Sequence, residues 1–209
     1  MNMHVLNLGP YGVNCYIVET APGRCIAVDI GGHSNRFLNF INDKGLQLKK
    51  ILLTHGHFDH IGGVEEVRKA TGAEVYIHTD DSFMLESEEY SLHRGMIPDP
   101  FIPVTDYTAV FGDCWINDGD LSFRVLHTPG HSHGSVCYLC GDTMFSGDTI
   151  FRCSIGRTDF ESSDPIAMAG SLKLINDLDG DLNIYPGHGE STTLSYEKKY
   201  NPYLLSARR

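Results

Sequence analysis

The sequence predicts an α/β sandwich in which helices cover a pair of β-sheets, and three observations lead there. Short apolar runs rich in β-branched residues recur along the chain, and each ends at Gly, Pro, Asp or His instead of a long polar linker. Helical patterns sit between several of these runs. Strands that read as antiparallel come first, and mixed strand and helix units follow, the order expected of layered sheets under helices.

Taken in order, the strands are expected at 5–8, 14–18, 26–29, 51–53, 75–78, 121–126, 136–139, 144–145 and 183–185. A helix at 35–44 places Phe37, Leu38 and Ile41 on one face, and a second at 64–70 follows the Gly62-Gly63 pair. A third helix is expected over 164–178, with Asp164 as N-cap and Pro165 in the first turn, where its missing N–H costs nothing. The stretch 80–118 mixes Glu86, Glu88 and Glu89 with Met96, Ile97, Pro98, Phe101, Ile102 and Pro103, and reads as an irregular insertion carrying a short helix. It is either a lid over a pocket or a surface elaboration.

With 209 residues, the chain suits a single domain spanning 1–209, since single cores extend to about 250 residues. Hydrophobic residues at 41% and charged residues at 21% exclude disorder and fibrous classes. A net charge of −11 opposes a nucleic-acid or anionic-membrane partner. No basic stretch followed by an apolar run opens the sequence, and no segment reaches about 18 uninterrupted apolar residues, so a cytoplasmic protein is expected. Six cysteines are too few for a disulfide scaffold. The Cys137-Tyr138-Leu139-Cys140 spacing has no second pair to complete a zinc ribbon and reads as two small core side chains in a strand.

The chemistry concentrates in Thr54-His55-Gly56-His57-Phe58-Asp59-His60, which puts three imidazoles and one carboxylate within six positions directly after an apolar strand. Packing these groups together without a metal would leave polar atoms unsatisfied and a carboxylate unneutralised. Imidazole nitrogen and carboxylate oxygen suit zinc first, and iron and manganese as well. Further candidates follow predicted strands beside glycines: His131 in Pro129-Gly130-His131, Asp148 in Gly147-Asp148-Thr149, and His188 in Pro186-Gly187-His188-Gly189. Asp29, at the end of Ile26-Ala27-Val28-Asp29, is either a turn residue or an acceptor for a ligand imidazole N–H.

In this order the motifs resemble the metallo-β-lactamase superfamily, with its HxHxDH loop and later His, Asp and His. The resemblance covers nearly the whole chain and implies an αββα sandwich with two divalent metals at the sheet ends. Carried over, His55, His57 and His131 would hold one metal, Asp59, His60 and His188 the second, and Asp148 would bridge them beside a shared hydroxide. Acyl hydrolysis is the implied reaction, with Asp59 and Asp148 as its catalytic carboxylates.

Gly147-Asp148-Thr149-Ile150-Phe151, Gly156-Arg157-Thr158-Asp159-Phe160 and the ending with Thr192-Thr193, Glu197 and Asn201-Pro202-Tyr203-Leu204 look like the short single-domain hydroxyacylglutathione hydrolases, the glyoxalase II-like group. That resemblance implies hydrolysis of a small anionic thioester of the S-lactoylglutathione type. Long glyoxalases place a lysine and, two residues on, a tyrosine near glutathione; here Arg157 and Asp159 stand there, so the cation stays and the tyrosine is lost. Their C-terminal helical domain is expected to have no counterpart, which makes another thiol a second substrate class. Arg157, with Arg152 nearby, is expected to meet a substrate carboxylate. Persulfide dioxygenases of the same superfamily bind one iron and also carry a GRTDF segment, and form the alternative enzyme class; their last ligand motif tends to read PAHDY, against Pro186-Gly187-His188-Gly189 here. A metal-binding scaffold without activity is the non-enzyme alternative. His4, His33, His78, His93, His127 and His133 are assigned to structure or surface, and Cys153 to the cleft rim with no nucleophilic role.

Overall fold

The computed structural model describes residues 1–207. A first sheet holds β1 (Asn2–Leu8), β2 (Val13–Ala21), β3 (Arg24–Val28), β4 (Gln47–Leu52), β5 (Glu74–His78) and β6 (Thr108–Val110) in that spatial order. β1 to β3 pair antiparallel and β3 to β6 pair parallel. The second sheet contains β7 (Trp115–Asp118), β8 (Leu121–His127), β9 (Val136–Cys140), β10 (Thr143–Gly147), β13 (Asn183–Pro186) and β14 (Thr192–Thr193), in the order β14-β13-β10-β9-β8-β7. The small hairpin of β11 (Ile150–Phe151) and β12 (Ser154–Ile155) follows β10.

Three apolar clusters define four layers. Tyr16, Val18, Ile26, Val28 and Leu52 of the first sheet meet Phe123, Val125, Tyr138 and Phe145 of the second. Outside the first sheet, α1 (Ser34–Asp43) and α3 (Val64–Thr71) contribute Phe37, Ile41, Val64 and Val67 to the core. Outside the second, α4 (Pro165–Asn176) and α6 (Pro202–Ser206) contribute Met168, Leu172, Ile175 and Leu204. The result is an αββα sandwich, because each sheet has one apolar face for its partner and another for helices. Asp164 caps α4 by accepting from the Ile166 and Ala167 N–H groups, with Pro165 in the first turn. Cys137 and Cys140 lie buried in β9.

The segment 80–118 is more ordered than its composition suggests. A 3₁₀ helix covers Thr79–Glu86, and β6 and β7 form one edge of each sheet. These strands are three and four residues long, too short for a period-two pattern to stand out. Thr192–Thr193 and the helices α5 (Leu194–Tyr200) and α6 were likewise not expected as elements, although their residues carry the C-terminal motif. Asp118 of β7 joins the sheets: its carboxylate accepts from Thr20 Oγ1 at 2.5 Å and from Arg24 Nε and Nη2 at 2.8 and 2.6 Å. Among the described residues no helix is long and apolar enough to cross a membrane.

Strand direction decides where the loops meet. β8 and β10 are both antiparallel to β9, and β13 is parallel to β10, so the C-terminal ends of β8, β10 and β13 share one edge. That edge abuts the C-terminal ends of β3 and β4: Val136 N–H donates to the Thr54 carbonyl at 2.9 Å, and Tyr138 Oη to that of Leu53 at 2.8 Å.

Candidate metal centre

Five loops leave that common edge, and each carries a side chain singled out from the sequence. Asp29 follows β3 and His55, His57, Asp59 and His60 follow β4, with α2 (Phe58–Ile61) presenting the last two. His131 follows β8, Asp148 follows β10 and His188 follows β13. Ligand atoms of His55, His57 and His131 lie within 4.8 Å of one another, as do those of Asp59, His60 and His188. The carboxylate of Asp148 lies between the two groups: Oδ1 is 3.3 Å from His60 Nε2, and Oδ2 is 3.6 Å from His131 Nε2 and 3.7 Å from His188 Nε2.

The outer hydrogen bonds settle which imidazole nitrogen turns inward. His60 Nδ1 donates to Asp29 Oδ2 at 2.8 Å, and His131 Nδ1 donates to the Arg157 carbonyl at 2.9 Å. Thr54 Oγ1 donates to Asp29 Oδ2 at 2.7 Å and is 3.1 Å from His55 Nδ1, from which it accepts. In all three rings the proton is held outside and the Nε2 lone pair faces the cluster. His57 is reversed, with Nε2 toward Ser162 Oγ at 3.4 Å and Nδ1 3.0 Å from His131 Nε2.

This arrangement leaves His55 Nε2, His60 Nε2 and Asp148 Oδ1 buried without a hydrogen-bond partner. Each such atom costs about 1–3 kcal/mol, and three together are a large share of a stability of about 5–15 kcal/mol. Three convergent buried atoms left without a partner, two imidazole nitrogens and a carboxylate oxygen, fit divalent cations.

The electrostatics split in the same way. Burial, then the neighbouring rings, keep His55 far below the ordinary imidazole range, and burial with His131 brings His57 down to about 3. Both are held neutral, the state that ligates a metal. At His60 burial is outweighed by Asp148, Asp29 and Asp59, which push its pKa well up. Burial of Asp148 is in turn outweighed by His60, His131 and His188, so its carboxyl is held far below the usual range. The carboxylate half of the cluster therefore demands positive charge.

Glycines make room for the carboxylate. A Cβ on Gly187 would run into Asp148 Oδ1 and come within 2.6 Å of His60 Cε1. Gly147 adopts φ 47°, the left-handed turn that releases Asp148 from β10.

Both arginines expected near the substrate pair with carboxylates of the chain itself. Arg157 lines the cleft, but Nε and Nη2 donate to Asp159 Oδ1 and Oδ2 at 2.6 and 2.8 Å, and its guanidinium lies 4.3 Å from the centroid of the Phe160 ring. Arg152 pairs with Glu190, stacks on Tyr196 and is not among the cleft-lining residues. Cys153 is exposed at the turn of the β11–β12 hairpin. His78 and His127 stack face to face at 4.0 Å, with Asp80 beside them, a grouping invisible in a sequence where they are 49 residues apart.

One residue of the site went unread in the sequence. Asp81 is fully buried and accepts from Gly56 N–H at 3.1 Å, Ser132 Oγ at 2.6 Å and Gly134 N–H at 2.6 Å. It thus ties the loop of His55 and His57 to that of His131. Its signal was an Asp shortly after a parallel strand, as Asp29 stands directly after β3.

The sequence profile of the metallo-β-lactamase superfamily matches residues 8–188. The chain belongs to that superfamily, whose members bind divalent metals. It is 32% identical to hydroxyacylglutathione hydrolase GloC of Haemophilus influenzae, over 99% of each chain. Among solved structures, the BLEG-1 B3 metallo-β-lactamase superposes with a TM-score of 0.91 at 32% identity, covering 97% of this chain and 99% of that one. TTHA1623 in a di-iron-bound form superposes with a TM-score of 0.86 at 35% identity, covering 96% and 99%. Proteins named for different substrates stand at the same similarity, so membership alone leaves the substrate to the cleft.

Proposed function

We propose that this protein is a metal-dependent hydrolase of thioesters of the S-lactoylglutathione type, acting at a centre for two divalent metals. The observation that carries the proposal is the convergence of seven side chains, of which His55 Nε2, His60 Nε2 and Asp148 Oδ1 are buried without hydrogen-bond partners. His55, His57 and His131 would hold one ion, Asp59, His60 and His188 the other, with Asp148 shared. The ligand set favours zinc and also admits iron or manganese. Ions bound there supply Lewis acidity, bringing the pKa of a bound water toward neutrality and polarising a carbonyl.

The chain's own residues do the rest. Asp29 and Thr54 hold His60 and His55 with their lone pairs inward, and the Arg157 carbonyl does the same for His131. Asp59 faces the cleft, with Oδ2 3.1 Å from His188 Nε2. Burial opposes its ionisation, but His60 and His188 hold its carboxyl below the usual range. It is therefore an ionised carboxylate at neutral pH, able to orient a water and accept its proton. Phe58, Phe151 and Phe160 line the cleft beside the candidate ligands and give a substrate an apolar wall.

A direct experiment combines metal analysis with a hydrolysis screen of S-lactoylglutathione and other acyl thioesters, alongside oxygen uptake on glutathione persulfide. The expected result is about two ions per chain and thioester cleavage without oxygen consumption. Less than one ion per chain after metal-supplemented expression, or oxygen uptake without cleavage, would overturn the proposal.

A further inference from the structure

The cleft over the metal centre has a volume of ≈ 570 Å³. Away from the candidate ligands its walls are mainly apolar, formed by Tyr11, Phe58, Leu92, Met96, Phe151 and Phe160. Only two cations, Arg94 and Arg157, line it among the described residues, and both already face carboxylates. Arg157 is clamped by both oxygens of Asp159 and lies over Phe160. Arg94 faces Glu88 at 3.8 Å and Glu89 at 3.7 Å, and Glu89 itself lines the cleft. Each cation is thus matched by at least one carboxylate, and among the described residues lining the cleft no unmatched arginine or lysine awaits an anionic thiol group.

A glutathionyl group carries two carboxylates. Arg157 and Asp159 are 60% and 67% exposed, so a glutathionyl carboxylate that displaced Asp159 would exchange one exposed ion pair for another and gain little. Apolar contact has no such competitor: each methylene taken out of water contributes about 0.8 kcal/mol, a factor of about four in affinity.

We infer that the cleft selects thioesters by an apolar arm and an uncharged thiol half, so that a glutathione half contributes little binding. The inference rests on the hydrolase proposal only for the word thioester. S-lactoylglutathione is then turned over through its acyl half, and neutral thioesters with longer apolar arms bind better. Leu92 and Met96 bring the segment 80–118 into substrate selection, while Asp159 keeps Arg157 from recruiting anions.

Binding of non-hydrolysable thioethers to the protein as purified, measured by calorimetry, tests this without requiring turnover. The probes are S-propyl and S-hexyl derivatives of N-acetylcysteamine and of glutathione. Propyl to hexyl adds three methylenes and is expected to tighten binding up to about 60-fold in both series, and the glutathione compounds are expected to bind no more tightly than the neutral ones. Asp159→Ala, at a side chain 67% exposed, is expected to tighten the glutathione compounds about threefold and leave the neutral ones unchanged. Tighter binding of the glutathione series to the wild type, no gain with chain length, no binding of either series, or no response of the glutathione compounds to Asp159→Ala would each overturn the inference. Binding in the expected order with no thioester cleaved would instead sink the hydrolase proposal and leave the selectivity standing.

Discussion

The carboxylate of Asp29 meets His60 Nδ1 at 2.8 Å, and its other oxygen accepts from the Thr54 N–H at 2.8 Å. Every hydrogen bond it makes is as an acceptor, two at Oδ2 and one at Oδ1. An asparagine would turn its amide N–H₂ toward at least one donor whichever way it was flipped. Asn tolerates the φ of 55° at this position, so Asp29→Asn tests the hydrogen bonds and not the backbone. We expect metal affinity to fall about 10- to 100-fold with the fold retained. Competition with a chelator, alongside circular dichroism, measures both, and an unchanged affinity would refute the orienting role.

Asp148 stands between the two groups of ligands, so its loss affects both. Asp148→Ala is expected to reduce thioester hydrolysis at least about 1,000-fold while thermal unfolding stays cooperative. Turnover near that of the wild type would remove Asp148 from the bridging position.

Gly187 offers a test of space and not of charge. A methyl group there must displace the Asp148 carboxylate or the His60 ring, both of which belong to the cluster. Gly187→Ala is therefore expected to weaken metal binding although no ligand is altered. Gly170 in α4 has nothing within 4 Å of its would-be Cβ, so Gly170→Ala should leave metal binding unchanged and serve as the control. Equal affinity of the two variants for zinc would show that the site relaxes around the methyl.

The two sheets are joined by a pair whose pH dependence has a definite sign. Burial raises the pKa of Asp118, but the hydrogen bonds from Arg24 and Thr20 outweigh it and hold the carboxyl below its ordinary value. The stabilisation is therefore complete above the unfolded carboxylate pKa, about 4, and is lost as pH falls through the lower folded value. Asp118→Asn should lower Tm at pH 7 by roughly 3 °C and flatten the acid side of the Tm profile between about pH 4 and 2. An unchanged slope there would assign acid sensitivity to other carboxylates.

Legibility followed the range of the interactions. The main strands and α4 were readable because apolar runs and the Asp164-Pro165 start are local signals. The edge strands Thr108–Val110 and Trp115–Asp118 were not, since three or four residues are specified by a neighbour across the sheet and not by their own pattern. His55, His57, Asp59 and His60 announce themselves by spacing alone. Asp81 does not, because its partners Gly56, Ser132 and Gly134 come from two distant loops.

The sequence by itself determined the layered α/β class, the seven candidate ligands and the superfamily, because dense imidazole and carboxylate spacing beside glycines has few other uses. Only the tertiary structure decided which lone pairs face inward, since the proton on each ring is set by Asp29, Thr54 and the Arg157 carbonyl across strand ends. It also decided the standing of Arg157. In sequence this residue is a cation two positions from an aspartate; in space its fork closes on Asp159 over Phe160.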